Sequence, residues 1–105
     1  MCSPGTEVDI NGSQALKHCI SSNSKTYHNE DWVSVEFIVY SDSIVHHVID
    51  KDTVMTYSNI KIGGGYLSDN FTDRIGDPLK EGYISLQSEG HPIEFKNIRI
   101  RELID

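Results

Sequence analysis

The chain has no cluster of basic residues, no long apolar run and no extended helical periodicity, and each absence removes a class of function. Nine Lys and Arg stand against sixteen Asp and Glu, for a net charge of −7. Lys96, Arg99 and Arg101 are interleaved with apolar residues, so no clustered positive surface is available to neutralise phosphates and nucleic-acid binding is not expected. No stretch approaches the roughly 18 apolar residues that would read as a membrane span. Met1-Cys2-Ser3-Pro4-Gly5-Thr6 lacks the basic and apolar parts of a signal peptide. Cysteine is scarce: Cys2 and Cys19 allow either two thiols or one disulfide. A disulfide would close a loop of about sixteen residues, worth roughly 3 kcal/mol in the chain-entropy model. Only Gln14 to Cys19 could form a helix, and it reads equally as a strand.

What is present is β pattern in a chain of 105 residues, 37% apolar and 24% charged, the size of one small domain spanning residues 1–105. Val33, Val35, Phe37 and Val39 share one phase and Ser34, Glu36, Ile38 and Tyr40 the other, the period-two signature of a half-buried strand, with the valine phase expected to face the core. Ser41-Asp42-Ser43 supplies turn chemistry and Ile44–Ile49 is rich in β-branched residues, so Val33–Ile49 is predicted as a hairpin. Asp50-Lys51-Asp52 makes the next turn, and Thr53–Tyr57 a third strand. The first thirty residues offer few core candidates, namely Val8, Ile10, Leu16 and Ile20.

From Ser58 to Glu81 the pattern lapses into loop formers, among them Gly63-Gly64-Gly65, expected as a hinge or tight turn. The Gly run lacks the Lys-Ser/Thr and helix of a nucleotide motif. A structureless stretch of some twenty residues is long for a compact domain and points to a functional or mobile loop. The strand pattern then resumes: Ile84 and Leu86 alternate with polar residues, Ser88-Glu89-Gly90-His91-Pro92 breaks the run, and Ile93 and Phe95 restart it. Two strands meeting at a polar corner are predicted over Gly82–Ile100. Five short strands with an exposed edge make a poor independent sandwich, so a partner sheet is expected. The acceptor patterns Asn11-Gly12-Ser13 and Asn70-Phe71-Thr72 read as incidental.

Asp31-Trp32, Val35-Glu36-Phe37-Ile38-Val39, Ile44-Val45-His46-His47-Val48-Ile49-Asp50, Gly82-Tyr83-Ile84-Ser85-Leu86-Gln87 and Phe95-Lys96-Asn97-Ile98-Arg99-Ile100 together resemble the C-terminal half of the 3-keto-disaccharide hydrolase family, found in bacteria. The resemblance implies an all-β, antiparallel jelly roll of the concanavalin A-like β-sandwich type. Because family domains run to nearly twice this length, it also implies a truncated sandwich that would pair with a missing N-terminal half or with another copy in a homo-oligomer. It implies a periplasmic or extracellular location, a carbohydrate partner, and cleavage of 3-keto-glycosides by acid/base elimination and hydration, with a divalent metal as a candidate cofactor. Where the family often has His-Trp-Leu-Asn-Gly, this chain has His47-Val48-Ile49-Asp50-Lys51. Where the commoner corner is Gln-Asp-His-Gly-Ser-Pro, it has Gln87-Ser88-Glu89-Gly90-His91-Pro92.

Elimination needs a base, an acid for the leaving oxygen and an electrophile at the keto oxygen. Glu89 and His91, two apart at the corner, are candidates for an acid/base pair or for two metal ligands, against the alternative of a solvated polar turn. Adjacent residues on a strand point to opposite faces, so His46 and His47 cannot serve one site. The resemblance favours His47 as the third catalytic candidate, on the face opposite the Val33–Val39 core phase, against a histidine that only satisfies a hydrogen bond. Tyr27, His28 and Trp32, with Gln87, are the expected substrate-binding residues, the aromatics stacking on a sugar ring. Glu36 is a weaker candidate. A non-catalytic carbohydrate-binding module of the same fold is the alternative function, and a structural or interaction module the third.

Overall fold

The computed structural model describes residues 1–41 and 44–104 of the chain. Five strands form one antiparallel sheet: β1 (Thr6–Ile10), β2 (Ser13–Gln14), β3 (Val35–Tyr40), β4 (Ile44–Ile49) and β5 (Asp52–Ile62), in the order β2-β1-β5-β4-β3. The fold is all-β and sandwich-like. The predicted hairpin forms in register, with Val35 opposite Ile49 and Phe37 opposite His47. Asp42 and Ser43 of its turn lie outside the described residues. The β4–β5 connection is a two-residue turn in which Asp50 and Lys51 both have positive φ, 47° and 76°. That is the conformation whose twist suits a tight hairpin.

β5 is longer than predicted, running on to Ile62 because β1 pairs with its second half: Thr6 lies opposite Ile62 and Glu7 opposite Lys61. The partner strand was hidden because Val8 is the one buried residue in Thr6–Ile10. Gly63-Gly64-Gly65 is a tight turn rather than a loose hinge. Gly63 N donates to Gly5 O at 3.1 Å and Gly5 N to Gly65 O at 2.8 Å. A Cβ on Gly64, at φ +73°, would stand 3.1 Å from Thr6 O. The loop that follows carries a short 3-10 helix at Asp69–Arg74, capped by Ser68. Gln14–Cys19 forms no helix. Cys2 and Cys19 are joined in a disulfide, and Ile20 N donates to Met1 O beside it.

Three expectations are corrected. The two C-terminal strands do not form: Gly82–Ile100 has no strand pairing and is exposed throughout. Alternation marks a segment able to make a strand, but a strand exists only against a neighbour, and the sheet supplies none here. Leu16 is exposed rather than core. The Val35, Phe37 and Val39 phase is exposed as well, at 54%, 41% and 44%, because β3 is an edge strand and, among the described residues, no second sheet covers it. The core that does exist is small: Val8, Val45, Val48, Val54, Met55 and Ile62.

Candidate functional site

Register decides which histidine looks where. Cross-strand partners share a face, so Phe37, His47 and Met55 lie on one side of the sheet and Ile38, His46 and Thr56 on the other. His47 therefore sits on the apolar face with Val35, Phe37 and Val39, not opposite it as expected. A shift between His47 and Val48 puts Val54 in a bulge and returns Thr53 to the face of Val48 and His46.

On the apolar face His47 is half-buried between two rings. Its imidazole centroid lies 4.5 Å from that of Phe37 and 5.2 Å from that of Tyr57. Its Nε2 is 3.0 Å from the Tyr57 hydroxyl. Burial holds the imidazole below its ordinary range, and the N-terminal ammonium adds to the effect, so the ring is neutral near pH 7. Burial also raises the Tyr57 phenol. The pair is a neutral imidazole held by a neutral phenol. Tyr57 and Phe37 were not anticipated as its neighbours, although counting outward from the Tyr40–Ile44 end of the predicted β3–β4 hairpin would have placed Phe37 opposite His47.

On the polar face His46 Nδ1 lies 2.8 Å from Thr56 Oγ1, with the Tyr40 ring edge-on at 5.9 Å. Glu36 shares this face, two residues from the partner of His46.

The other candidates are scattered. Tyr27 reaches the β4–β5 turn, its hydroxyl 3.5 Å from Asp50 Oδ2. The phenol is raised by desolvation first and by the Asp50 carboxylate next. Asp50 also accepts from Ser34 N at 3.2 Å, so this carboxylate ties the segment before β3 to the turn. Trp32 is exposed, with Lys96 Nζ 4.0 Å from its ring centroid, and Lys25 lies 4.8 Å from that of Tyr27. Each ring already has a cation over one face. His28 is exposed. Gln87 Nε2 donates to Glu89 Oε1 at 3.0 Å across the corner, where Gly90 takes φ +77°. His91 is exposed beyond it, and no hydrogen bond among the described residues joins Glu89 or His91 to His47. A divalent cation would need converging donors. No group of three His, Cys, Asp or Glu comes together among the described residues, so the donor set does not fit one.

Comparison with known families decides the affiliation. A family model described as a 3-keto-alpha-glucoside-1,2-lyase-like domain matches residues 5–101. The chain belongs to this family. No curated protein and no solved structure matches it. Family membership gives the chain a glycoside-related function.

Proposed function

We propose that the chain acts on 3-keto-glycosides by elimination, and the family match over residues 5–101 is the observation that carries this reading. The keto group at C3 acidifies the proton at C2. A base removes that proton, the C–H pair becomes the C1–C2 double bond, and the C1–O bond breaks with its oxygen taking a proton. Addition of water across the double bond then completes net hydrolysis. On this reading His47 is the base. It is neutral at the pH where a base is needed, and the Tyr57 hydroxyl fixes its ring. Glu89 and His91 form the second pair proposed for proton transfer, with Gln87, Tyr27, His28 and Trp32 as sugar-contacting residues. A periplasmic or extracellular location goes with this reading. The Cys2–Cys19 disulfide supports it, because disulfides persist in oxidising compartments.

Incubation of the chain with a 3-keto-disaccharide, followed by chromatography, should yield the unsaturated keto sugar or its hydrate and the released sugar. His47→Gln should cut the rate by about 100-fold or more, the low end for a general base. Unchanged turnover in a Glu89→Gln, His91→Ala variant removes the corner from the mechanism. The exposed Trp32 and Tyr27 rings favour a second reading, a carbohydrate-binding module. Binding of the sugar without turnover would establish it in place of the first.

A further inference from the structure

β5 has β4 along its whole first half on one edge but no continuous strand on the other. β1 pairs with it from Ile62 back to Ser58 and then turns away at Asn11-Gly12 into β2. Among the described residues the chain next hydrogen-bonds to that edge at Asn23, whose N donates to Val54 O at 2.8 Å. Between these two points the edge opens into a groove of about 310 Å³. The Cys2–Cys19 disulfide and the Ile20–Met1 hydrogen bond tether the start of the returning segment.

The chemistry of the lining is uniform. Asn11, Ser21, Asn23, Thr53 and Thr56 supply amides and hydroxyls, and Ile10, Ile20 and Val54 supply aliphatic surface. No ionisable side chain lines it. Among the described residues, the side chains of Asn11, Ser21, Asn23 and Thr53 make no hydrogen bond within the chain. Thr56 is the exception, its hydroxyl meeting His46 Nδ1 on the polar face. Neutral donors and acceptors around an aliphatic patch complement a molecule that carries many hydroxyls and one apolar face. An anionic ligand would meet a chain of net charge −7 and no cation in the groove.

The geometry points to this groove as a binding subsite for a neutral pyranose, with Asn23, Thr53 and Thr56 bonding its hydroxyls and His46 positioning Thr56. The inference names a sugar site on the edge of β5, and it rests on the glycoside reading only for the choice of probe. His47 and the Glu89–His91 corner do not line the groove.

The test uses trehalose, a neutral α-glucosyl disaccharide without a keto group, so that binding is read independently of turnover. Titration followed by two-dimensional amide NMR should shift Asn11, Ser21, Asn23 and Thr53–Thr56 before any other residues. A double variant, Asn23→Ala with Thr53→Val, should weaken binding about tenfold, since each lost neutral hydrogen bond costs a few-fold in affinity. Both side chains are exposed, so the fold should tolerate the change, and the amide spectrum itself reports whether it does. His46→Ala should weaken binding less than Thr56→Val. Shifts clustered around Trp32 or the 87–91 corner instead, or no shifts at millimolar trehalose, would overturn the subsite. Turnover of the 3-keto-disaccharide with unchanged KM in the double variant would overturn the subsite and leave the elimination reading standing. Trehalose binding in the groove without turnover of the keto sugar would do the reverse.

Discussion

At the scale of single residues, the two adjacent histidines have opposite surroundings. His46 rests on the polar face beside a threonine hydroxyl, while His47 is wedged between Phe37 and Tyr57. The His47 pKa is displaced downward, and burial is the main cause. The unfolded chain therefore binds a proton near pH 6.5 that the folded chain takes up only at lower pH. Stability from the neutral ring is fully present above pH 6.5 and is lost as pH falls toward the folded value. Melting temperatures measured from pH 8 to pH 5 should decline through this window in the native chain, and the decline should be shallower in His47→Gln. Equal slopes in the native chain and His47→Gln would show that the imidazole titrates normally and is not a ready base at pH 7.

At the scale of elements, the tight β4–β5 turn fixes the register on which both histidine environments depend. Lys51 holds φ at 76°, a conformation that costs a residue with a Cβ roughly 1 kcal/mol relative to glycine. Lys51→Gly should raise the urea midpoint by an amount worth about 1 kcal/mol, with Asp50 kept because it accepts from Ser34 N. A lower midpoint would mean that the turn is not the constraint it resembles. The β3–β4–β5 meander was legible because each strand carries its own alternation and its own turn residues. β1 was not, since Val8 is the only buried residue in it and its pairing with β5 is between segments some fifty residues apart. The C-terminal alternation misled for the converse reason. Ile84, Leu86, Ile93 and Phe95 alternate well, but pattern specifies a face and not a neighbour. The candidate site was legible only in part. His47 was singled out for its type and its resemblance, while the phenol that holds it and the groove on the edge of β5 arise from register and from a gap, neither of which has a local sequence signal.

At the scale of the whole molecule, the accessible surface is 9050 Å², about half as much again as the roughly 5,900 Å² of a compact monomer of 11.8 kDa. The radius of gyration is 14.9 Å, against about 13 Å for a compact chain of this length. Two features account for the excess: the uncovered face of β3, and the segment beyond Pro78. Pro78 bridges Lys61 and Leu79 N donates to Ile60 O, after which, among the described residues, no hydrogen bond or ion pair joins this tail to the rest of the chain, and Lys96 lies over Trp32. One cation–π contact at an exposed site is worth roughly 0.5–1 kcal/mol, too little to hold more than twenty residues in place. Trypsin at low dose should therefore cut first at Lys80, Lys96, Arg99 and Arg101, and mass spectrometry should find a persistent fragment ending at Lys80. Lys61 should resist, because it lies within β5 between β1 and Pro78. Release of the tail should change Trp32 fluorescence as the ammonium leaves its ring, and Lys96→Ala should give the same change without proteolysis. Early cleavage at Lys61 would show that its pairing with β1 and Pro78 does not protect it, and protection of all four C-terminal sites would show that the tail is built into the fold as the neighbour the exposed face of the sheet requires.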